Sequence, residues 1–286
     1  MDMFTTTSVF RWNGSDVRTE RDELVVEEPL EIRVGGRAIS VTMRTPGHDA
    51  ELAAGFLLSE GVLRRTQDVV RVHACAEARN LVNVMLDPSV HVAFEKLTRH
   101  VFAASSCGLC GKATIEAIRA QLDPLPDRET PRVPAAIIAS MPNAMRQTQA
   151  TFERTGGLHA AALFDESGRL LVVREDVGRH NAVDKVLGHA LLNDWLPLHR
   201  HILIVSGRSS FEIMQKALAG RIPIVAAVSA PSSLAVDFAR ENGQTLIGFL
   251  RDRRMNVYCG HERIEYGPTN DDARNVESLA VTTRQP

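Results

Sequence analysis

The chain has 286 residues, 44% hydrophobic and 24% charged, with 33 Lys and Arg against 35 Asp and Glu for a net charge of −2. That length favours two cores over one, and the charge balance argues against a general nucleic-acid binder, which carries a basic excess. The longest apolar runs, such as Ile222–Val228, are too short to cross a bilayer, and four cysteines do not make a disulfide framework.

Residues 1–20 are polar, lack apolar periodicity and show neither a basic n-region nor an apolar h-region. They read as a loose tail of a cytoplasmic protein with reduced thiols. An α+β domain is expected over residues 21–125. Leu24-Val-Val26 and Leu30–Val34 read as strands, and Val34-Gly-Gly-Arg37 as a hairpin turn into Ala38–Met43. Asp49–Ser59 has the apolar spacing of a helix stopped at Gly61. Strands are expected at Val69–His73, Leu81–Leu86 and Val90–Phe94. The segment Ser105-Ser-Cys-Gly-Leu-Cys-Gly-Lys112 then leads into a helix over Thr114–Gln121.

A linker rich in proline (Pro124, Pro126, Pro131, Pro134) opens the second domain, residues 126–267. Its expected elements are a helix over about Ala135–Phe152, then a hairpin of His159–Phe164 and Arg169–Arg174 turned at Asp165-Glu-Ser-Gly168. A helix Asn181–Leu192 follows. Strands Ile202–Val205, Ile222–Val228 and Leu246–Leu250 alternate with helices Phe211–Leu218 and Leu234–Glu241. Short joins in a strand–helix–strand series imply parallel strands. Ligands of such sheets sit beyond the carboxyl ends of the strands. Ser206-Gly-Arg-Ser-Ser210, Ser229-Ala-Pro-Ser-Ser233 and Arg251-Asp-Arg-Arg254 fall there. The first two also open helices, whose free N–H groups attract anions, so a phosphate-bearing ligand suits this edge. The plainer reading makes Ser209 and Ser232 simple N-caps. Residues 268–286 read as a second loose tail.

Cys107 and Cys110 are the one close cysteine pair. A loop entering a helix lowers a thiol pKa, Gly108 and Gly111 leave the backbone open, and Lys112 adds positive charge. A thiolate there is suited to attack a persulfide donor and hold the outer sulfur, with Cys110 as resolver or relay. Four other readings compete. A structural zinc site would have to gather ligands from scattered residues such as Cys75, Cys259 or His73. A zinc deaminase is imitated by Cys75-Ala-Glu77 followed by the Cys107-x-x-Cys110 pair, but Ser106 stands where that signature has proline. A thioredoxin-like reaction lacks its surrounding βαβ unit. Inert, buried thiols are the plainest reading, and one that flanking glycines and serines disfavour. No resident metal is expected.

Arg174-Glu-Asp-Val-Gly-Arg-His-Asn-Ala-Val-Asp-Lys185 packs seven ionisable residues into the entry of a helix. It reads as a binding segment or a salt-bridge network, with Val177, Ala182, Val183 and Val186 burying one side. Thr155-Gly-Gly-Leu-His159 has the freedom to admit a ligand closely. His159 and His180 suit proton transfer near neutral pH, although a hydrogen-bonded structural histidine is the commoner case.

These segments resemble one family, the formate dehydrogenase accessory proteins, also known as FdhD or sulfur carrier proteins. The likeness is carried by Glu28-Pro-Leu-Glu-Ile-Arg-Val34, Met43-Arg-Thr-Pro-Gly-His-Asp49, Glu51-Leu-Ala-Ala-Gly-Phe56 and the cysteine loop. It continues through Thr155-Gly-Gly-Leu-His-Ala-Ala161, Arg174–Lys185, Ser206-Gly-Arg208, Ser229-Ala-Pro231 and Thr245-Leu-Ile-Gly-Phe-Leu-Arg251. The resemblance implies a sulfurtransferase whose donor is a cysteine desulfurase. Its acceptor would be the molybdenum or tungsten cofactor carrying two molybdopterin guanine dinucleotides, destined for the catalytic subunit of formate dehydrogenase. Cys107 would carry the persulfide and Cys110 would be its partner. The cofactor-binding stretch would be Phe249, Leu250, Arg251, Asp252, Arg253 and Arg254, where guanidinium forks grip phosphates. It further implies a homodimer, and a second domain of three layers resembling cytidine deaminase without its zinc. A non-catalytic chaperone for the same cofactor, and more remotely a zinc-dependent deaminase-like hydrolase, are the alternatives.

Overall fold

The computed structural model describes residues 3–74, 80–94, 97, 122–126 and 131–267. The cysteine loop, the helix expected over Thr114–Gln121, the Cys75-Ala-Glu77 segment and the C-terminal tail lie outside them.

The fold is mixed α/β, built on a four-stranded and a six-stranded sheet. The smaller has the order β4-β3-β6-β5, from β3 (Glu28–Val34), β4 (Arg37–Arg44), β5 (Val69–Ala74) and β6 (Leu81–Leu86). Gly35 and Gly36 both take positive φ in the expected hairpin turn. The larger has the order β13-β12-β11-β10-β8-β9. Its strands are β8 (His159–Asp165), β9 (Leu170–Asp176), β10 (His201–Val205), β11 (Ile224–Ala227), β12 (Thr245–Arg251) and β13 (Arg254–Cys259). The pairs β10–β11 and β11–β12 are parallel, as the strand–helix alternation implied. The edge strand β13, which sequence patterning did not suggest, runs antiparallel to β12. A short parallel pair joins β7 (Val133–Pro134) to β14 (Ile264–Glu265).

Residues that alternate along the larger sheet separate onto its two faces. Ala162, Ile202, Ile204, Ile224, Ala226 and Ile247 pack with Ile138, Met141 and Met145 of α2 (Ala135–Gln147). Leu163, Leu203, Val205, Val225 and Ala227 pack on the other side with α4 (Arg179–Leu192), α5 (Phe211–Ala219) and α6 (Ser233–Glu241). Burial on both faces explains why these strands read as continuous apolar runs. The second core continues without a break into α1 (Asp49–Ser59) and into Leu30, Ile32, Val82 and Val84 of the smaller sheet. Two glycines permit the α1–α4 crossing. A Cβ on Gly55 would lie 1.8 Å from the Asp184 carbonyl oxygen, and one on Gly188 would lie 1.8 Å from that of Glu51.

Three expectations are corrected. Residues 1–20 are not a loose tail: β1 (Phe4–Trp12) and β2 (Val17–Val25) form an antiparallel ribbon in full register. Phe10 and Trp12 are 82% and 71% exposed, so the ribbon rests on backbone pairing and carries no buried-face periodicity. Val90–Phe94 forms no strand among the described residues. β6 already pairs with β3 on one side and β5 on the other, and the side chains of Val92 and Phe94 pack onto the core without a ladder. The helix expected over Ala135–Phe152 is two, broken at Thr148–Gln149, with α3 covering Ala150–Thr155. The Glu175 carboxylate accepts from the Thr151 and Phe152 amides at 3.3 and 2.9 Å, which fixes the second helix start against β9.

Candidate functional site

Parallel pairing brings the carboxyl ends of β10, β11 and β12 side by side. Backbone hydrogen bonds then hold the three following segments together. The Val228 amide donates to the Val205 carbonyl at 3.0 Å, the Ser232 amide to Ser209 at 3.0 Å, and the Phe249 amide to Ser229 at 3.1 Å. The predicted convergence of Ser206–Ser210, Ser229–Ser233 and the Arg251–Arg254 stretch is therefore present at one sheet edge.

β8 runs antiparallel to β10, so its amino end lies at the same edge. The Ser206 amide donates to the Ala160 carbonyl, and the Ala160 amide donates to the Ser206 hydroxyl, both at 2.9 Å. This pairing sets the His159 ring against Gly207, where a Cβ would stand 3.3 Å from Nδ1 and 3.7 Å from Cδ of Arg179. A side chain at 207 would press on the His159 ring and sit at ordinary contact distance from Arg179. His159 is half-buried. Burial pushes its pKa down, Arg179 and Arg208 push it further down, and Asp176 acts the other way.

The Arg174–Lys185 cluster divides into structural and free members. Asp176 meets Lys185 at 2.7 Å with both side chains buried, and also accepts from the Thr45 and Gly178 amides and the Asn181 side chain. Lys185 further donates to the Thr45 carbonyl at 3.0 Å. Asp184 is bound by Lys216 at 2.8 Å and by the Ser59 hydroxyl at 2.8 Å. Arg174 grips Glu51, with Nη2 2.7 Å from Oε1. Burial of Glu51 favours its neutral form, but hydrogen bonds from Arg174, His48 and His189 prevail and hold the carboxyl far below its usual range. The contacts with Thr45, Ser59 and Glu51 tie β9 and α4 to the end of β4 and to α1, while Lys216 ties α4 to α5. His180 belongs to the same framework, with Nε2 3.2 Å from the Ser210 hydroxyl and Nδ1 3.3 Å from Glu212. Arg179 is different: its Nε is buried and has no hydrogen-bond partner.

Ser232 caps α6, accepting from the Ala235 amide at 3.3 Å. Ser209, expected as a second N-cap, is not one. Ser210 holds the N-cap position of α5, while Ser209 is fully buried and its hydroxyl has no partner.

At the end of β12 the chain reverses with positive φ at Phe249, Asp252 and Arg253. Phe249, Arg251, Asp252, Arg254 and Asn256 line an open depression of about 440 Å³. Arg251 to Arg254 are exposed, and Phe249 is partly so, while Leu250 points into the core and is fully buried. Of the six residues expected to bind cofactor, Leu250 can contribute only backbone. A second cavity, of about 510 Å³, opens beside His159 and Ser206; Asn143, Arg146, Gln149 and Gly157 are among its lining residues. Sequence reasoning missed the three polar residues from the helical region, since nothing in their spacing distinguishes a solvent face from a cavity wall.

Cys107 and Cys110 are outside the described residues, as are Cys75 and Glu77. Cys259 is held in place: its thiol donates to the Gln244 carbonyl at 3.4 Å, and burial pushes its pKa up. Among the described residues no group of three or more His, Cys, Asp or Glu is arranged to hold a metal ion. None of their helices is long and apolar enough to cross a membrane.

Comparison with known proteins matches residues 25–265 to the FdhD/NarQ family. The chain belongs to that family. It is 53% identical over 264 residues to the sulfur carrier protein FdhD of Streptomyces coelicolor, covering 90% of this chain and 94% of that one. It is 49% identical over 262 residues to the FdhD of Mycobacterium tuberculosis, covering 88% and 95%. Its fold is similar to a crystal structure of a candidate formate dehydrogenase accessory protein from Desulfotalea psychrophila, with a TM-score of 0.75, 26% identity, and 92% and 100% coverage. The FdhD/NarQ match begins at residue 25, so all of the β1–β2 ribbon but its last residue, Val25, lies ahead of the family's matched region.

Proposed function

We propose that this FdhD-family protein is a sulfurtransferase that takes persulfide sulfur from a cysteine desulfurase and gives it to the bis-molybdopterin guanine dinucleotide cofactor of formate dehydrogenase. The observation that carries the reading is the cationic edge of the larger sheet, which suits a ligand rich in phosphate, in a chain whose relatives are named sulfur carriers. The cofactor is substrate, bound through Phe249, the Leu250 backbone, Arg251, Asp252, Arg253 and Arg254, and its metal is molybdenum or tungsten. The reaction belongs in the reducing cytoplasm, on a homodimer. We read the larger sheet with its two helical layers as cytidine-deaminase-like; support comes from the strand order β13-β12-β11-β10-β8-β9.

In the first step the Cys107 thiolate attacks the terminal sulfur of the donor persulfide. A new S–S bond forms on Cys107, and the donor cysteine leaves as thiolate. In the second, the Cys110 thiol attacks the Cys107 sulfur. A Cys107–Cys110 disulfide forms and sulfide leaves as the group delivered; the two thiols supply the two electrons that reduce the outer sulfur. A later thiol reductant resets the pair.

A strain lacking its own copy of the gene, supplied with the Cys107→Ala variant, is expected to make soluble protein and inactive formate dehydrogenase. Full activity with that variant would instead favour a chaperone that binds and delivers the cofactor without sulfur chemistry.

A further inference from the structure

Ser210 holds the N-cap position of α5, yet its side chain accepts from no amide of the first turn. Serine at that position ordinarily caps, satisfying one of the orphan N–H groups of the helix. Here the hydroxyl faces Nε2 of His180, 3.2 Å away, in the first turn of α4. The other ring nitrogen, Nδ1, lies 3.3 Å from Oε2 of Glu212, in the first turn of α5. One imidazole thus meets a serine hydroxyl at Nε2 and a carboxylate at Nδ1, which is the arrangement of a nucleophile, a base and the acid that orients it. His180 and Glu212 are 5% and 8% exposed, whereas Ser210 is only partly covered. Oε2 of Glu212 makes no aligned hydrogen bond. A buried carboxylate oxygen beside Nδ1 interacts most strongly when the ring becomes a cation. Lys216, 3.6 Å from Oε1, holds that carboxylate, and Asp184 holds Lys216. The amide of Phe211 follows the serine in a first turn whose N–H groups have no partner within the helix; with the positive end of the helix dipole it suits a developing oxyanion. Arg208 is exposed two residues before Ser210, and Nε of Arg179, beside His180 in the chain, is buried without a partner. Both favour a substrate that carries negative charge.

We infer that Ser210, His180 and Glu212 form a nucleophilic triad that hydrolyses carboxylic esters bearing an anionic group. The activity goes beyond the proposed sulfur transfer and does not depend on it. Ser210 Oγ attacks the ester carbonyl carbon while His180 Nε2 takes the hydroxyl proton. The tetrahedral oxyanion faces the Phe211 amide and collapses, and the alcohol leaves with the proton that His180 returns. The acyl group stays on Ser210 until water, giving a proton to the same nitrogen, attacks it. The carboxylic acid then departs, and the proton goes back to Ser210. Glu212 holds Nδ1 and balances the imidazolium charge in each half, and water is the only co-reactant.

The test is labelling of the full chain by a fluorophosphonate, a probe that phosphonylates activated serines, with peptide mass spectrometry to map the adduct. Alkylating the cysteine thiols beforehand blocks sulfur transfer, so its success or failure cannot enter the readout. The wild type is expected to be labelled on Ser210 and Ser210→Ala to lose the adduct. His180→Gln is expected to slow labelling by about a hundredfold or more, since a positioned general base contributes about 10²–10⁴-fold. Glu212→Gln, nearly isosteric, should slow it by about tenfold or more and serves where the histidine variant does not fold. Ser167→Ala, in the exposed β8–β9 turn, is expected to label as the wild type does. Turnover is followed with 4-nitrophenyl acetate and the anionic 4-nitrophenyl succinate. The second is expected to react faster, and Arg208→Gln to remove the difference. No adduct on Ser210 of the wild type, or unchanged labelling in the His180 and Glu212 variants, would overturn the triad. An adduct without turnover of either ester would overturn the hydrolase, and equal turnover of the two esters would overturn the charge assigned to the substrate.

Discussion

Replacing Lys185 with methionine tests how far the two sheets depend on one buried ion pair. The lysine is fully buried and donates to three acceptors: Asp176 at 2.7 Å, the Thr45 carbonyl at 3.0 Å and the Glu175 carbonyl at 3.3 Å. Methionine fills nearly the same volume, so packing is kept and the loss is electrostatic. Breaking a buried pair from one side costs about 3–5 kcal/mol, because the remaining charge is left without compensation. Here Asp176 keeps the Thr45 and Gly178 amides and the Asn181 side chain as donors, which favours the lower end, about 3 kcal/mol. With a urea slope of about 3 kcal/mol per molar, the midpoint should fall by about 1 M. Far-UV circular dichroism against urea measures it. A companion Asp176→Leu variant and the double variant complete a cycle. The double variant should be more stable than the sum of the singles predicts, by about 1–3 kcal/mol. A midpoint unchanged in Lys185→Met, or strict additivity in the cycle, would refute the claim that this pair joins β9 and α4 to Thr45.

Other consequences are as direct. Gly55→Ala places a methyl group 1.8 Å from the Asp184 carbonyl oxygen, against backbone that cannot yield; the expected result is a loss of several kcal/mol (~3 or more) or insoluble protein, and wild-type thermal stability would contradict the close crossing. Glu51 has a folded pKa depressed below its unfolded value. Its contribution is therefore complete above the unfolded pKa, about 4.3, and is lost as pH falls through the folded one. Acid unfolding of Glu51→Gln should show a shallower fall of stability below about pH 4.3 than wild type, and parallel curves would exclude the role. Cys259→Ser should load sulfur as the wild type does, because the raised pKa of that thiol leaves little thiolate; loss of loading would implicate a third cysteine.

Much of the architecture was legible because it is written in burial. The β10–α5–β11–α6–β12 alternation shows as apolar runs punctuated by Gly220 and Gly243, and its carboxyl edge followed from the order of elements alone. The ribbon Phe4–Val25 was illegible for the opposite reason. Its stability is largely in paired backbone, and the few side chains that touch the body, Phe4 and Glu23 against Arg154 and Val25 against Gly157, make no apolar periodicity. β13 carries an exposed and half-exposed pattern with no clear apolar face, so only its pairing with β12 reveals it. At the site, the Arg174–Lys185 run could be seen as charged but not sorted. Which member binds and which braces depends on contacts with Thr45, Glu51 and Ser59, more than a hundred residues away in sequence. Ser209 shows the same limit from the other side: serine before a helix is ordinarily a cap, but with two serines ahead of Phe211 the cap position falls to Ser210 and Ser209 is a buried hydroxyl without a partner.

The central claim is sulfur carriage on Cys107. Intact-protein mass spectrometry after incubation with a cysteine desulfurase and cysteine tests it, comparing wild type with Cys107→Ala and Cys110→Ala. The account predicts a gain of about one sulfur atom, reversed by a thiol reductant and absent from the Cys107 variant. No sulfur adduct on the wild type, with the desulfurase shown to bind it, would contradict the account and leave a cofactor chaperone in its place.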